Sequence, residues 1–186
     1  MIMVYFSPSN QTQNAFFIDS YNESSYATAL CKKISKRISA VHGHPCIVSD
    51  VNTSLRNRVK DANESVCSLY VAVHTRFSFD STVKGTVCYY HPQDKNSQLL
   101  AVNMADALTK LCHIPPSDDK TIADGTLIYG KLRLTEIQLP YEVGITAVLV
   151  EVNAHDNPKT CQWLVESIDE IAECLSKTII DFLQMT

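Results

Sequence analysis

Several features that would assign this chain quickly are missing. It has seven cysteines, an odd number, and Cys31, Cys46, Cys67, Cys88, Cys112, Cys161 and Cys174 form neither a CxxC pair nor a zinc-finger spacing. No disulfide framework is implied, and most of these cysteines fall within apolar patterns, as small buried thiols do in a reducing compartment. No apolar run approaches the roughly 20 residues that a helix needs to span a bilayer, and no basic segment followed by an apolar stretch opens the chain. The expectation is no membrane partner, no signal peptide and synthesis in the cytoplasm. Clustered basic charge is also scarce: 16 Lys and Arg face 20 Asp and Glu, for a net charge of -4. Phosphate binding needs clustered Lys and Arg, so no nucleic-acid partner is expected. The one local basic run, Lys32-Lys33-Ile34-Ser35-Lys36-Arg37, fits the wet face of a helix. Neither an internal repeat nor a break in composition marks a linker. With 186 residues and 45% apolar content, the chain reads as a single domain over 1–186.

What is present alternates between two periods. "IMVYF", residues 2–6, reads as a short apolar strand. Ala27, Leu30, Cys31, Ile34, Ile38 and Val41 recur at helical spacing, which predicts a helix over 24–41 stopped near Gly43. "PCIVSDV" reads as a strand, and Asp50 or Asn52 is placed to cap a helix over 55–63. "CSLYVAVH" is β-branched, aromatic and almost continuously apolar, the pattern of a strand covered on both faces. "GTVCYYH" is a further strand, and Ala101, Met104, Ala105, Leu108, Leu111 and Cys112 mark a third helix. "PPSDDKTIADGTLIYGK" is the most loop-like stretch, with a short strand expected over 131–137. "ITAVLVEV" is another buried strand. From Cys161 to Phe182 the apolar spacing traces one long amphipathic helix. Strands separated by helices predict an α/β fold in three layers: a twisted, mostly parallel sheet flanked by helices on both faces.

In such sheets ligands bind beyond the carboxyl ends of the strands, and three strand ends carry polar groups. After Phe6 the chain enters Ser7-Pro8-Ser9-Asn10-Gln11-Thr12-Gln13-Asn14, a run of hydroxyls and amides without charge or glycine. His74 closes its strand ahead of Thr75-Arg76-Phe77; alone it reads as a core-edge histidine bonded to a backbone carbonyl. Glu151 lies inside "TAVLVEVNA", where a buried carboxylate costs several kcal/mol unless it is paired, metal-bound or protonated. An ion pair with an arginine such as Arg133 is the structural explanation for it. Glu23 opens the first helix, where the helix dipole alone favours a carboxylate. Together these residues supply a His and a Glu suited to zinc and a second Glu able to handle protons.

These residues carry a resemblance. "SLYVAVHTRFSFDSTVKGTVCYYHPQDKNSQLLAVNMADALTKL" resembles the middle of the zinc-dependent N-acetylmuramoyl-L-alanine amidases of the amidase-3 type. There a strand ends in a metal-binding His and a strand with Gly and Tyr follows. "TAVLVEVNAHDNPKTCQWLVESIDEIAECLSKTIIDFL" is similar to their last third, where a strand ends in the catalytic Glu and a final helix covers the sheet. "LRNRVKDANESVCSLYVAVH" matches the pattern ahead of the His. Most members end the first strand in Pro-Gly-His-Gly, whose His is the first zinc ligand. "SPSNQTQN" looks instead like a branch of phage and clostridial endolysins with Ser-Pro-Ser-x-Gln followed by Asn.

The resemblance implies Zn2+ held by Glu23, His74 and a substitute for the first His, in the order Gln11, Asn10, Asn14, or by Glu23 and His74 with waters alone. An amide oxygen is a harder and weaker zinc ligand than imidazole. It further implies that Glu151 is the catalytic general base and then acid, that the substrate is peptidoglycan or muropeptide, and that the amide between N-acetylmuramic acid and L-alanine is cut. His155 in "NAHDNP" lines the cleft or serves the loop. Arg76 adds a positive charge where the family often has Asn or a small residue. An endolysin-like chain acts on the cell wall after release from the cytoplasm. Two other readings stay open: a muropeptide-binding module with an eroded metal site, and a zinc peptidase or deacetylase on another substrate.

Overall fold

The computed structural model describes residues 2–18, 21–117, 120–127 and 133–185. Its elements run β1 (Val4–Pro8), α1 (Glu23–His42), β2 (Cys46–Val48), α2 (Leu55–Glu64), β3 (Leu69–Arg76), β4 (Val87–Tyr90), α3 (Lys95–Leu111), β5 (Ile122–Asp124), α4 (Thr135–Glu142), β6 (Thr146–Ala154), α5 (Pro158–Glu166) and α6 (Ile168–Met185). The strands form one sheet in the order β2-β1-β3-β6-β4-β5. Every pairing is parallel except β4 with β6. The expected α/β fold, with helices on both faces of a mostly parallel sheet, is the observed one.

Because side chains alternate along a strand, each strand divides its residues between two cores. On one face Val4, Phe6, Leu69, Val71, Val73, Val148, Val150 and Val152 meet α1, α3, α5 and α6 in a large apolar cluster. On the other, Tyr5, Tyr70, Ala72, Ala147 and Leu149 meet Val59 and Ala62 of α2 and Ile137 of α4 in a smaller one. Among the described residues no helix is long and apolar enough to cross a membrane.

The local reasons are visible at the helix ends. Helix α1 starts on a capping box: Asn22 Oδ1 accepts from Ser25 N and Ser25 Oγ accepts from Asn22 N. It stops at Gly43, whose φ of 68° is left-handed and whose N–H bonds Ser39 O, a conformation in which glycine escapes the Cβ penalty. Helix α2 is capped by Ser54, which accepts from Asn57 N, and not by Asp50 or Asn52. Asp50 is spent on a local turn, accepting from Asn52 N at 2.8 Å.

Two further expectations are corrected. The C-terminal helix is two helices: Ser167 caps the end of α5 with φ -105° and ψ 20°, and α6 begins at Ile168. The apolar spacing runs through because both helices cover the same face. The strand expected over 131–137 is absent from its described part, since Thr135 starts α4; positions 131 and 132 lie outside the described residues. The strand in this region is β5, inside the stretch that reads as loop, where Ile122 to Asp124 pair with Cys88 to Tyr90.

Candidate active site

The face carrying the smaller core changes character toward the carboxyl ends of the strands. Continuing the period of two, Tyr5 leads to Ser7, Tyr70 and Ala72 to His74, and Ala147 and Leu149 to Glu151. Register places His74 beside Glu151 on neighbouring strands. The first turn of α1 rises beyond the sheet edge and adds Glu23, 1% exposed. Thus Glu23, His74 and Glu151 converge on one edge.

His74 is held at both ring nitrogens. Nδ1 lies 3.0 Å from Glu23 Oε1, and Nε2 lies 3.1 Å from Glu136 Oε2. The backbone-carbonyl explanation for this histidine is therefore replaced by two carboxylates. Burial opposes a charge on the ring, but the hydrogen bonds and charges of Glu136 and Glu23 outweigh it and raise the pKa to about 10. Burial likewise opposes ionisation of Glu23 and Glu136, and the hydrogen bond and charge of His74 together with hydrogen bonds from Asn14 and Ser9 to Glu23 and from Ser7 and Tyr70 to Glu136 outweigh it, so both are lowered below the ordinary value.

Glu136 is the functional residue that the sequence reading missed. It belongs to α4, where only an acid next to the apolar Ile137 hints at burial; it is 3% exposed. Its Oε1 accepts from Tyr70 OH at 2.9 Å and from Ser7 Oγ. Ser7 Oγ in turn accepts from Arg58 Nη1 at 2.8 Å. Arg58 is fully buried, and its other donors are satisfied by the carbonyls of Pro8, Thr53 and Val51 at 2.6, 2.9 and 3.0 Å. A buried guanidinium without such partners would cost several kcal/mol.

The polar loop after β1 packs against Glu23. Asn14 Nδ2 donates to Glu23 Oε2 at 2.7 Å and to Gln11 Oε1 at 2.8 Å, and Asn14 O accepts from Glu23 N at 2.9 Å. Asn14 thus touches Glu23 directly and Gln11 stands one side chain further out. Asn10 is exposed.

Glu151 is half-buried and accepts from Tyr89 OH at 3.3 Å. Burial pushes its pKa up to about 7, against the lowering influence of His74 and Arg76. Arg76 therefore acts on Glu151. Arg133 does not: among the described residues no ion pair joins it to Glu151, and it lines a pocket with His91, Gln138 and Tyr141. His155 sits in the loop after β6, with Nδ1 2.8 Å from Thr75 Oγ1 and its ring stacked between Phe16 and Phe77. Its Nε2 is buried without a partner.

Residues 9–181 match the amidase-3 family, described as N-acetylmuramoyl-L-alanine amidase. The chain belongs to this family. No curated protein matches it. Among solved structures it is similar to the catalytic domain of CwlV, an N-acetylmuramoyl-L-alanine amidase from Bacillus (Paenibacillus) polymyxa var. colistinus, at 19% identity and TM-score 0.78, covering 100% of both chains. It is also similar to the amidase AmiC2 of Nostoc punctiforme, at 16% identity and TM-score 0.80, covering 98% of this chain and 97% of that one. A Clostridium difficile 630 amidase gives 18% identity and TM-score 0.80 over 98% and 97%. At these identities the likeness is one of fold.

Among the described residues no group of three or more His, Cys, Asp or Glu is arranged to hold a metal ion. The site nevertheless fits a cation. A neutral imidazole has one N–H and one lone pair, so a ring with a carboxylate oxygen at each nitrogen is satisfied as the imidazolium, with a proton on one of the carboxyls, or with a cation in one of the two contacts. Glu23 and His74 are a carboxylate and an imidazole, both suited to zinc, and the amides of Gln11 and Asn14 lie on the same side.

Proposed function

We propose that this family member hydrolyses the amide between the lactyl group of N-acetylmuramic acid and the L-alanine of the stem peptide, using a zinc ion held by Glu23 and His74. Gln11 is the third donor from the polar loop. When bound, zinc supplies Lewis acidity toward the scissile carbonyl and toward water. Glu151 takes the proton of the attacking water and returns it to the leaving amine nitrogen. Water attacks directly, so no covalent intermediate and no nucleophilic Ser or Cys is needed. Arg76 moderates the pKa of Glu151, and Tyr89 orients its carboxylate.

The observation that carries this reading is the position of Glu151. It lies in register with His74, is partly buried, and has a pKa raised to about 7, which suits a group that must accept and then release a proton near neutral pH. The Ser-Pro-Ser-x-Gln loop, packed against Glu23 through Asn14, supports an endolysin-like setting in which the chain meets the wall after release from the cytoplasm.

Metal content of the purified protein, measured beside muropeptide digestion, tests the proposal. The expected result is stoichiometric zinc in the parent, lost in Glu23→Ala and His74→Ala, with new amino-terminal L-alanine released by the parent only. The absence, among the described residues, of a group of three or more His, Cys, Asp or Glu arranged for a metal favours one other reading, a module that binds muropeptide without cutting it. Zinc uptake and muropeptide binding without released alanine would establish that reading.

A further inference from the structure

The reaction proposed above makes no use of Glu136, although this residue holds the most completely satisfied buried carboxylate of the site. We propose that Glu136 is a positioning residue that keeps the proton of His74 on Nε2, so that Nδ1 presents its lone pair to the cation shared with Glu23. This inference rests on the zinc reading and concerns which nitrogen of the ring serves it.

The two sides of the ring differ in what they offer. On the Nε2 side, Glu136 Oε1 receives the hydroxyls of Ser7 and Tyr70, and Ser7 is itself occupied by Arg58. The groups around that carboxylate donate toward it, and the remaining oxygen, Oε2, is left for one N–H from the ring. On the Nδ1 side, Glu23 Oε1 faces the ring while Oε2 is held by Asn14, and the amide oxygen of Gln11 lies next in the chain of contacts. On the Nδ1 side Asn14 donates to Glu23 Oε2 and to Gln11 Oε1 and leaves Glu23 Oε1 turned to the ring, whereas on the Nε2 side two hydroxyls converge on the one carboxylate of Glu136. A neutral ring has one proton to place, and the closed carboxylate is where it bonds.

The consequence extends to metal affinity. A carboxylate on the remote N–H fixes the orientation of a ligand imidazole and raises its basicity. In this chain that support coincides with a loop that offers amides, weaker donors than imidazole. Glu136 strengthens His74 where the other donors are weak. Four elements hold it in place: Ser7 from β1, Arg58 from α2, Tyr70 and His74 from β3, and α4 itself.

The test uses the full chain and zinc alone. Zinc dissociation constants come from competition with a chelator for the parent, Glu136→Gln and Tyr70→Phe, with thermal melting to confirm folding. In parallel, nitrogen-labelled His74 is observed by NMR with cadmium in place of zinc. The expected outcome is an affinity about 10- to 100-fold weaker in Glu136→Gln, a smaller loss in Tyr70→Phe, and metal coupling to Nδ1 with the proton on Nε2 in the parent. Should Glu136→Gln fail to fold, the parent spectrum decides: coupling to Nδ1 supports the inference and coupling to Nε2 overturns it. Equal zinc affinity in a folded Glu136→Gln also overturns it and leaves the proposed function standing, whereas a parent that takes up no zinc overturns both.

Discussion

The two faces of the sheet are built from the same strands, yet one stays apolar through the middle of every central strand and the other turns to charged groups toward the carboxyl edge. On the first face Val4 and Phe6, Leu69, Val71 and Val73, and Val148, Val150 and Val152 present unbroken hydrocarbon to α1, α3 and α6. On the second, Tyr5 and Tyr70 stack at 5.3 Å but send their hydroxyls to carboxylates, Asp61 and Glu136 respectively. Further along the same face, beyond Tyr5 on β1, Ala72 on β3 and Leu149 on β6, the side chains are Ser7, His74 and Glu151. The difference teaches that stability and chemistry are divided by the pleat: a one-residue shift in register would exchange the two sets. The dry face anchors the strands, and the mixed face uses that anchorage to hold charges close together.

This division can be broken or sharpened by substitution. The largest expected effect is on the mixed face: Glu151→Gln should lower kcat by about 100- to 10,000-fold while zinc content stays that of the parent. In the parent, kcat/KM should fall about tenfold per pH unit below the Glu151 pKa, because the base is then protonated. A flat profile through pH 7 would remove Glu151 from the mechanism.

On the dry face, Leu100 is fully buried, and Leu100→Ala should cost about 2–5 kcal/mol in urea unfolding without changing zinc stoichiometry. Loss of zinc in that variant would show that the two faces are not separable. Tyr70→Phe removes one hydroxyl from Glu136 and should cost about 1.5–3 kcal/mol, less than the core truncation at its upper end.

A further effect concerns stability against pH. The Glu151 pKa is raised from its ordinary 4.5 to about 7 by burial. Between these values the folded protein keeps a proton that the unfolded chain has released, so this residue's contribution falls as pH rises through that window and is constant above it. Urea midpoints of the parent and Glu151→Gln, compared at about pH 5 and about pH 8, should show the parent losing ground to the variant at the higher pH. A constant difference would mean that Glu151 is not desolvated.

Much of this was legible beforehand, and the exceptions have physical reasons. The periodicity of Ala27, Leu30, Cys31, Ile34 and Ile38 located α1 because a helix packed on one face repeats its burden locally. The runs ending in His74 and Glu151 located β3 and β6 because strands buried on both faces need continuous apolar residues. Helix α4 escaped because it is only eight residues long, contains Pro140, and lies in a stretch rich in turn residues. The break at Ser167 escaped because apolar spacing reports which face is buried and not whether the backbone hydrogen bonds are continuous. At the site, Glu23, His74 and Glu151 were marked by their places at element ends, while Glu136 sits 62 positions from His74 in a segment whose pattern gave no sign of its partner.

By itself the sequence determined the layers and the strands, and marked Glu23 at the start of α1 and His74 and Glu151 toward the carboxyl ends of β3 and β6, because hydrophobic period and capping chemistry act over a few neighbouring residues. Only the tertiary structure decided that His74 is gripped by two carboxylates, that Asn14 stands between Gln11 and Glu23, and that Arg58 closes the cluster through Ser7. Those relations join side chains from β1, α1, α2, β3 and α4, and electrostatic pairing in a buried site depends on distances that exist only after the sheet has brought these segments together.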